Sequence, residues 1–489
     1  MLINAEHLLQ YQRCKRRPFL DTHGDRSQRD PINELLLKVQ QDKIAHHLSV
    51  LTQFTYHQPD YPPRNWQAGA AATLELMQQG VEYIHKGVLL TTYSEEYTLL
   101  SRPDILMKQP GTSNFGDWMY VPVNIELGKR PKQEYQVVVA FHAQTLTMVQ
   151  GVTPETAWLI LRNKDQGYTV DLCRWIPQMQ QILEEFTQVI ESPQAPEIFI
   201  SRQKCNLCHW YSHCYAIAHS QQHLSLLPGI TPVRYNQLQA ISVTTLESFA
   251  NTSLSTLENL PGFEGRIAPK LVVQAQSALE KRPFILPDPL PTEYLTFTAP
   301  IELYFDIEAQ PDLNLHYLLG VLVVDRQANT EQFYSFLAEK PADEKLIWQQ
   351  FLDLVWQYPK APIYHFCVYE FDTVKQMAKL YGTPNSSVNP VLNRFVDVYE
   401  QLTQSVALPV ESYALKAIAR WIGFEWRDQE ASGAKCIYWY DQWLETGDRT
   451  LLEIIQRYNE DDCRATRRVK DWLVKFVQEA WMETEVATK

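Results

Sequence analysis

Two short segments hold the residues best suited to chemistry, Phe305-Asp306-Ile307-Glu308 and Tyr458-Asn-Glu-Asp-Asp462. Asp306 and Glu308 are separated by one residue, so on a strand both carboxylates leave the same face. Tyr458 and Asp462 are four apart and share a face on a helix. A strand pair facing a helix pair would hold two divalent cations roughly 3.5–4 Å apart, with a tyrosine beside them to position a water. That is hardware for phosphodiester hydrolysis.

The elements that must position these groups are readable. Residues 301–308 read as a strand, and the apolar run 317–324 reads as its hairpin partner. Residues 363–372 read as a strand running into a helix and bring a third acid, and residues 456–464 form the last helical element. Taken alone, an Asp-x-Glu pair is usually a solvated strand edge, and Asp462 a helix-surface residue. All of these pieces in order, with Tyr458 at its offset, resemble the DEDDy 3′–5′ exonucleases of the RNase H-like fold. The segments 412–416 and 421–424 resemble the helical part between that superfamily's motifs. The resemblance implies that Asp306, Glu308, a third acid and Asp462 ligate Mg²⁺ or Mn²⁺, hard cations that prefer oxygen, while Tyr458 orients the attacking water. The superfamily places its third acid after an aromatic residue. Both Tyr369-Glu370 and Phe371-Asp372 satisfy this, and counting from His365 favours Glu370.

A second signal lies in the cysteines. Cys205, Cys208 and Cys214 are closely spaced, and Cys14 stands far upstream. Such spacing in an intracellular protein reads as ligation of a metal or cluster, with zinc one reading if His209 and His213 take part. One distant cysteine plus a late triplet resembles the iron–sulfur nucleases of the RecB/AddB and CRISPR-associated exonuclease group, which implies a [4Fe–4S] cluster on Cys14, Cys205, Cys208 and Cys214. That group carries a PD-(D/E)xK nuclease site. Asp104 in Arg102-Pro-Asp104 matches its first acid, His46 or His47 its upstream histidine, and Gln136 its downstream glutamine. In Val123-Asn-Ile-Glu-Leu-Gly-Lys129, however, Asn124 falls where the second acid belongs and Glu126 where the lysine belongs. Either the site is degraded, or Glu126 serves as the acid and Lys129 or Lys132 supplies the ammonium.

At 489 residues the chain has room for two to four domains, and hydrophobic (45%) and charged (21%) fractions are those of a globular protein. No apolar run reaches the roughly 18 residues of a membrane span. The N-terminus also lacks a signal pattern, so a cytoplasmic protein without membrane attachment is expected. A net charge of −13 argues against a protein that coats nucleic acid by charge alone. Basic runs at Lys15–Arg17, Lys129–Lys132 and Arg464–Lys470 read more readily as solvated faces than as phosphate tracks.

Four regions follow: an α/β, restriction-endonuclease-like domain (1–220), a small helical region (221–283), a proline-rich linker (284–300) and an α/β, RNase H-like domain (301–489). Leu227-Pro-Gly and Leu260-Pro-Gly in the helical region resemble helix-hairpin-helix turns, which bind phosphate through backbone N–H groups, but simple proline-started helical turns fit as well. Along nearly its whole length the chain resembles a RecB-like nuclease family that fuses an iron–sulfur nuclease-like domain to an RNase H-like exonuclease. The resemblance implies cleavage of single-stranded DNA in repair or recombination. A nucleic-acid-binding scaffold with spent sites and an RNA-processing exoribonuclease are the alternatives.

Overall fold

A computed structural model describes residues 1–32, 34–162, 166–291 and 298–487. They divide into two compact units, Met1–Ile217 and Ala218–Lys489.

In the first unit five strands form a sheet in the order Tyr83–His85, Ile105–Ser113, Gly116–Glu126, Ala157–Leu161 and Tyr168–Val170. Gly116–Glu126 and Ala157–Leu161 run parallel, so a crossover must join them, and the Gln133–Gln150 helix is that crossover. Its Val137, Val139, Ala140 and Phe141 are buried together with Leu159 and Leu161 in one core cluster. Val123 and Ile125 point to the other face, where Val50 and Leu51 of the Glu34–Leu51 helix cover them. Asn124 and Glu126, out of phase with those two, leave the sheet on the opposite side.

The second unit is built on a sheet ordered Thr330–Leu337, Leu315–Asp325, Ile301–Gln310, Ile363–His365 and Phe395–Asp397. The first three strands are an antiparallel meander and the last two add in parallel. Ile301–Gln310 is therefore central, and Leu315–Asp325 beside it is almost continuously apolar because both its faces are covered. The long Arg449–Ala487 helix lies in the same core through Ile455, Cys463, Val469, Leu473 and Val477.

The helices of the 221–283 region belong to this second unit. The Ile267–Glu280 helix docks through Lys270 Nζ, which donates to the Thr403 carbonyl at 2.6 Å, and Gln274 Nε2, which donates to the Leu408 carbonyl at 2.7 Å. The segment expected to be a linker starts as a strand instead, with Phe284–Ile285 pairing antiparallel to Val406–Ala407. The run Pro287, Pro289, Pro291 begins only after Leu286, whose N–H is free to donate to the Ser405 carbonyl at 2.9 Å. Residues 292–297 of that segment lie outside the described residues.

Both Leu-Pro-Gly elements are turns that need glycine, since Gly229 and Gly262 have φ of 87° and 89°. Arg234 ties them together by donating to the Gly229 carbonyl at 2.6 Å and the Gly262 carbonyl at 2.7 Å. At the second turn the Gly262 N–H, the kind of group a phosphate would use, already donates to the Glu264 carboxylate at 3.0 Å. Among the described residues no helix is long and apolar enough to cross a membrane.

Candidate functional site

Asp306 and Glu308 leave one face of the central strand, where Asp306 is paired with Gly320 and Glu308 with Leu318. The register shifts immediately after Glu308, a bulge that ends the regular pairing beside the two acids. The Arg449–Ala487 helix brings Asp462 to them, and Asp306, Glu308 and Asp462 each present a carboxylate oxygen within 4.8 Å of the others. Among the described residues no other group of three or more His, Cys, Asp or Glu draws its ligand atoms so close.

The third acid depends on where strand gives way to helix. The Ile363–His365 strand ends in a turn with Cys367 in the left-handed region at φ 82°. Two bonds hold that turn: the Cys367 N–H donates to Asp397 Oδ1 at 3.0 Å, and the His365 ring meets the Cys367 carbonyl at 2.6 Å. The following helix starts at Tyr369, which buries Glu370 (5% exposed) and leaves Asp372, two positions round the helix, exposed. Glu370 lies close enough for its charge to act on both Asp306 and Glu308.

Burial first, and the Asp462 charge second, push the Asp306 and Glu308 carboxyls well above the usual carboxylate range. Burial also raises Glu370, against the pull of His365 Nδ1 at 3.6 Å, and lifts Asp462 to about 7 against hydrogen bonds from Trp426 and Tyr458. Carboxyl groups crowded out of water with too few donors make a site that a divalent cation would relieve, and every ligand atom is an oxygen. Tyr458 is 9% exposed. Burial and the Asp462 charge push its phenol far up, so it keeps its proton.

Neutral donors support two of the acids. Trp426 Nε1 donates to Asp462 Oδ1 at 2.7 Å, and Asn459 Nδ2 donates to Asp306 Oδ2 at 2.6 Å. The Lys416 ammonium sits 5.7 Å from the Tyr458 ring centre and 5.4 Å from that of Trp426. Asp461 faces away from this group and binds Arg427, accepting from Nε at 2.8 Å and from the backbone N–H at 2.9 Å.

In the first unit Asp104 stands just before the Ile105–Ser113 strand with both its oxygens engaged. Oδ1 meets Lys86 Nζ at 2.5 Å and His47 Nε2 at 3.1 Å, and Oδ2 accepts the Ile125 N–H at 2.7 Å. Burial would raise this carboxyl, but His47, Lys86 and the Ile125 N–H together hold it well below the usual range. Glu126 is 7% exposed and burial pushes it up to about 7, with Lys43 Nζ 3.8 Å away. Lys129 and Lys132 are both exposed, and Lys132 lies over the Tyr135 ring. Asn124 is buried with no partner for its Oδ1, and Gln136 Nε2 donates to the Pro131 carbonyl at 3.0 Å.

Cys14, just after the Ala5–Arg13 helix, lies near enough to Cys205, Cys208 and Cys214 for its charge to act on each. All four are free thiols, and burial raises Cys205 and Cys208 and pushes Cys214 up to about 11. His209 is engaged elsewhere, by Asp21 Oδ1 at 2.7 Å.

Trp426, Asn459 and Lys86 escaped the sequence reasoning. The one available signal for Asn459 was Gly320, a glycine inside an otherwise apolar strand, where close approach of another group is expected. A family model described as the RNase H superfamily matches residues 303–474. That span takes in Asp306, Glu308, Glu370, Tyr458 and Asp462, and the C-terminal unit thus carries an RNase H-like domain. Comparison with curated proteins finds no match.

Proposed function

We propose that the chain is a divalent-metal-dependent nuclease whose chemistry lies in the RNase H-like domain. In this reading it removes nucleotides from the 3′ end of single-stranded DNA in repair or recombination. The observation that carries it is the approach of Asp306, Glu308 and Asp462 oxygens to within 4.8 Å, with Glu370 and Tyr458 buried in the same unit. Asp306, Glu308, Glu370 and Asp462 would hold Mg²⁺ or Mn²⁺. Cations bound there supply Lewis acidity toward a phosphodiester and make a nearby water more acidic. Tyr458 would orient the attacking water through its hydroxyl; in the metal-free site burial and the Asp462 charge push its phenol up.

The first unit serves in this reading as a nucleic-acid grip. If it also cleaves, Asp104 and Glu126 are its acids and Lys86, rather than Lys129, provides the ammonium, which the 2.5 Å contact to Asp104 supports. Cys14, Cys205, Cys208 and Cys214 would hold a [4Fe–4S] cluster. Iron and acid-labile sulfide in anaerobically purified protein is the expected result, and zinc without iron would reverse the assignment.

Polarity and sugar preference are tested together. Oligonucleotides of one sequence with 2′-H or 2′-OH sugars, labelled at the 5′ end and incubated with Mn²⁺, should give a ladder shortening from the 3′ end, faster for DNA. Faster loss of the 2′-OH strand would favour RNA processing. Tight binding without cleavage of either strand would favour the scaffold reading.

A further inference from the structure

The buried amide of Asn459 and the missing side chain of Gly320 form one device. Asn459 is fully buried (0% exposed), and its Nδ2 donates to Asp306 Oδ2 at 2.6 Å. Among the described residues this is the one hydrogen bond made to the Asp306 carboxylate. Gly320 is the strand residue paired with Asp306. A Cβ at Gly320 would lie 1.7 Å from Asn459 Oδ1, a distance no side chain can occupy. Gly320 is not among the glycines with positive φ, so its backbone does not require glycine. Glycine inside a strand is also unfavourable in itself. What position 320 requires is room for the Asn459 amide. The orientation of that amide is not set by its oxygen, which has no hydrogen-bond partner; the donor side, turned to Asp306, sets it.

We propose that Asn459 is a positioning residue that fixes the rotamer of Asp306 and leaves Asp306 Oδ1 turned to the cation site, and that Gly320 is glycine to admit it. The proposal rests on the metal-dependent reading of this site. A residue of the same size without a donor, or any side chain at position 320, releases Asp306 into a crowd of like charges that turns it away from a shared cation. Partners of this kind typically alter metal affinity about 10–100-fold.

The test uses the full chain and reads Mn²⁺ binding from loss of the free-ion electron paramagnetic resonance signal, with a thermal melt of each variant beside it. Asn459→Leu conserves volume and Asn459→Ala removes it, so one of them reports even if the other fails to fold. Both should melt cooperatively and bind Mn²⁺ about 10–100-fold more weakly. Gly320→Ala should do the same, and combined with Asn459→Ala should add little to either single loss. In an Asp306→Asn background Asn459→Leu should be silent, because its effect passes through Asp306. Wild-type affinity in folded Asn459→Leu or Asn459→Ala, or an undiminished Asn459→Leu effect without the Asp306 carboxylate, overturns the proposal while sparing the metal reading. Absence of Mn²⁺ binding by the wild type overturns both.

Discussion

Tyr458 and Asp462 separate the orientation of water from the handling of charge. Tyr458→Phe keeps the ring and its contact with Lys416 but removes the hydroxyl. Turnover should fall on the order of 10²-fold, with Mn²⁺ binding unchanged, in single-turnover cleavage. Asp462 makes a prediction about acidity. Its folded-state value is raised to about 7, so metal-free folded protein binds more protons than the unfolded chain between the ordinary carboxylate range and that value. Stability in chelator should therefore fall as pH rises from about 4 to about 7, and Mn²⁺ should flatten the fall by pairing with the ionised carboxylates. Melting temperatures with parallel slopes in chelator and in Mn²⁺ would show that these groups do not hold the ion. The acids were legible in the sequence because strand and helix periods turn a spacing of two or four residues into a shared face. Their supports were not. Asn459 reaches Asp306 only because the register pairs Asp306 with Gly320, and Lys86 reaches Asp104 from the turn after the Tyr83–His85 strand, with no fixed spacing to mark it. Glu370 and Asp372 look alike in sequence, and the left-handed turn at Cys367 decides which of them is buried.

The central Ile301–Gln310 strand carries the acid cluster near one end and a structural network near the other. Glu302 is fully buried and accepts from Lys470 at 2.7 Å, from Arg326 Nε at 2.6 Å and from the Tyr304 hydroxyl at 2.7 Å. Burial alone would raise its carboxyl, but Lys470, Tyr304 and Arg326 bring it below the ordinary value. Glu302→Ala leaves the buried Lys470 ammonium with only Asp471, 3.7 Å away, and should cost about 3–5 kcal/mol in chemical denaturation. A loss below about 1 kcal/mol would mean that Lys470 reaches solvent in the variant. The same network corrects the impression given by the basic run in the last helix. Arg464 and Arg467 both bind Glu331, and Lys470 is buried on Glu302, so these three cations are committed within the fold. Sequence alone shows the run of charge but not its partners, which come from strands far upstream. The proline-dense segment is a parallel case, since local composition concealed a short strand that pairs with Val406–Ala407.

Over the whole molecule a net charge of −13 means that affinity for nucleic acid must come from local groups, and many basic residues are already paired with acids. In the proposed reading the chemistry lies in the second unit and nucleic-acid binding in the first, so the two should separate on mutation. The decisive measurement is cleavage of 5′-end-labelled single-stranded DNA with Mn²⁺ by the full chain, comparing wild type, Asp306→Asn and Asp104→Asn. Shortening from the 3′ end by wild type and Asp104→Asn, with none by folded Asp306→Asn, is the predicted result. Undiminished cleavage by Asp306→Asn, lost instead in Asp104→Asn, would contradict it and move the active centre to the N-terminal unit.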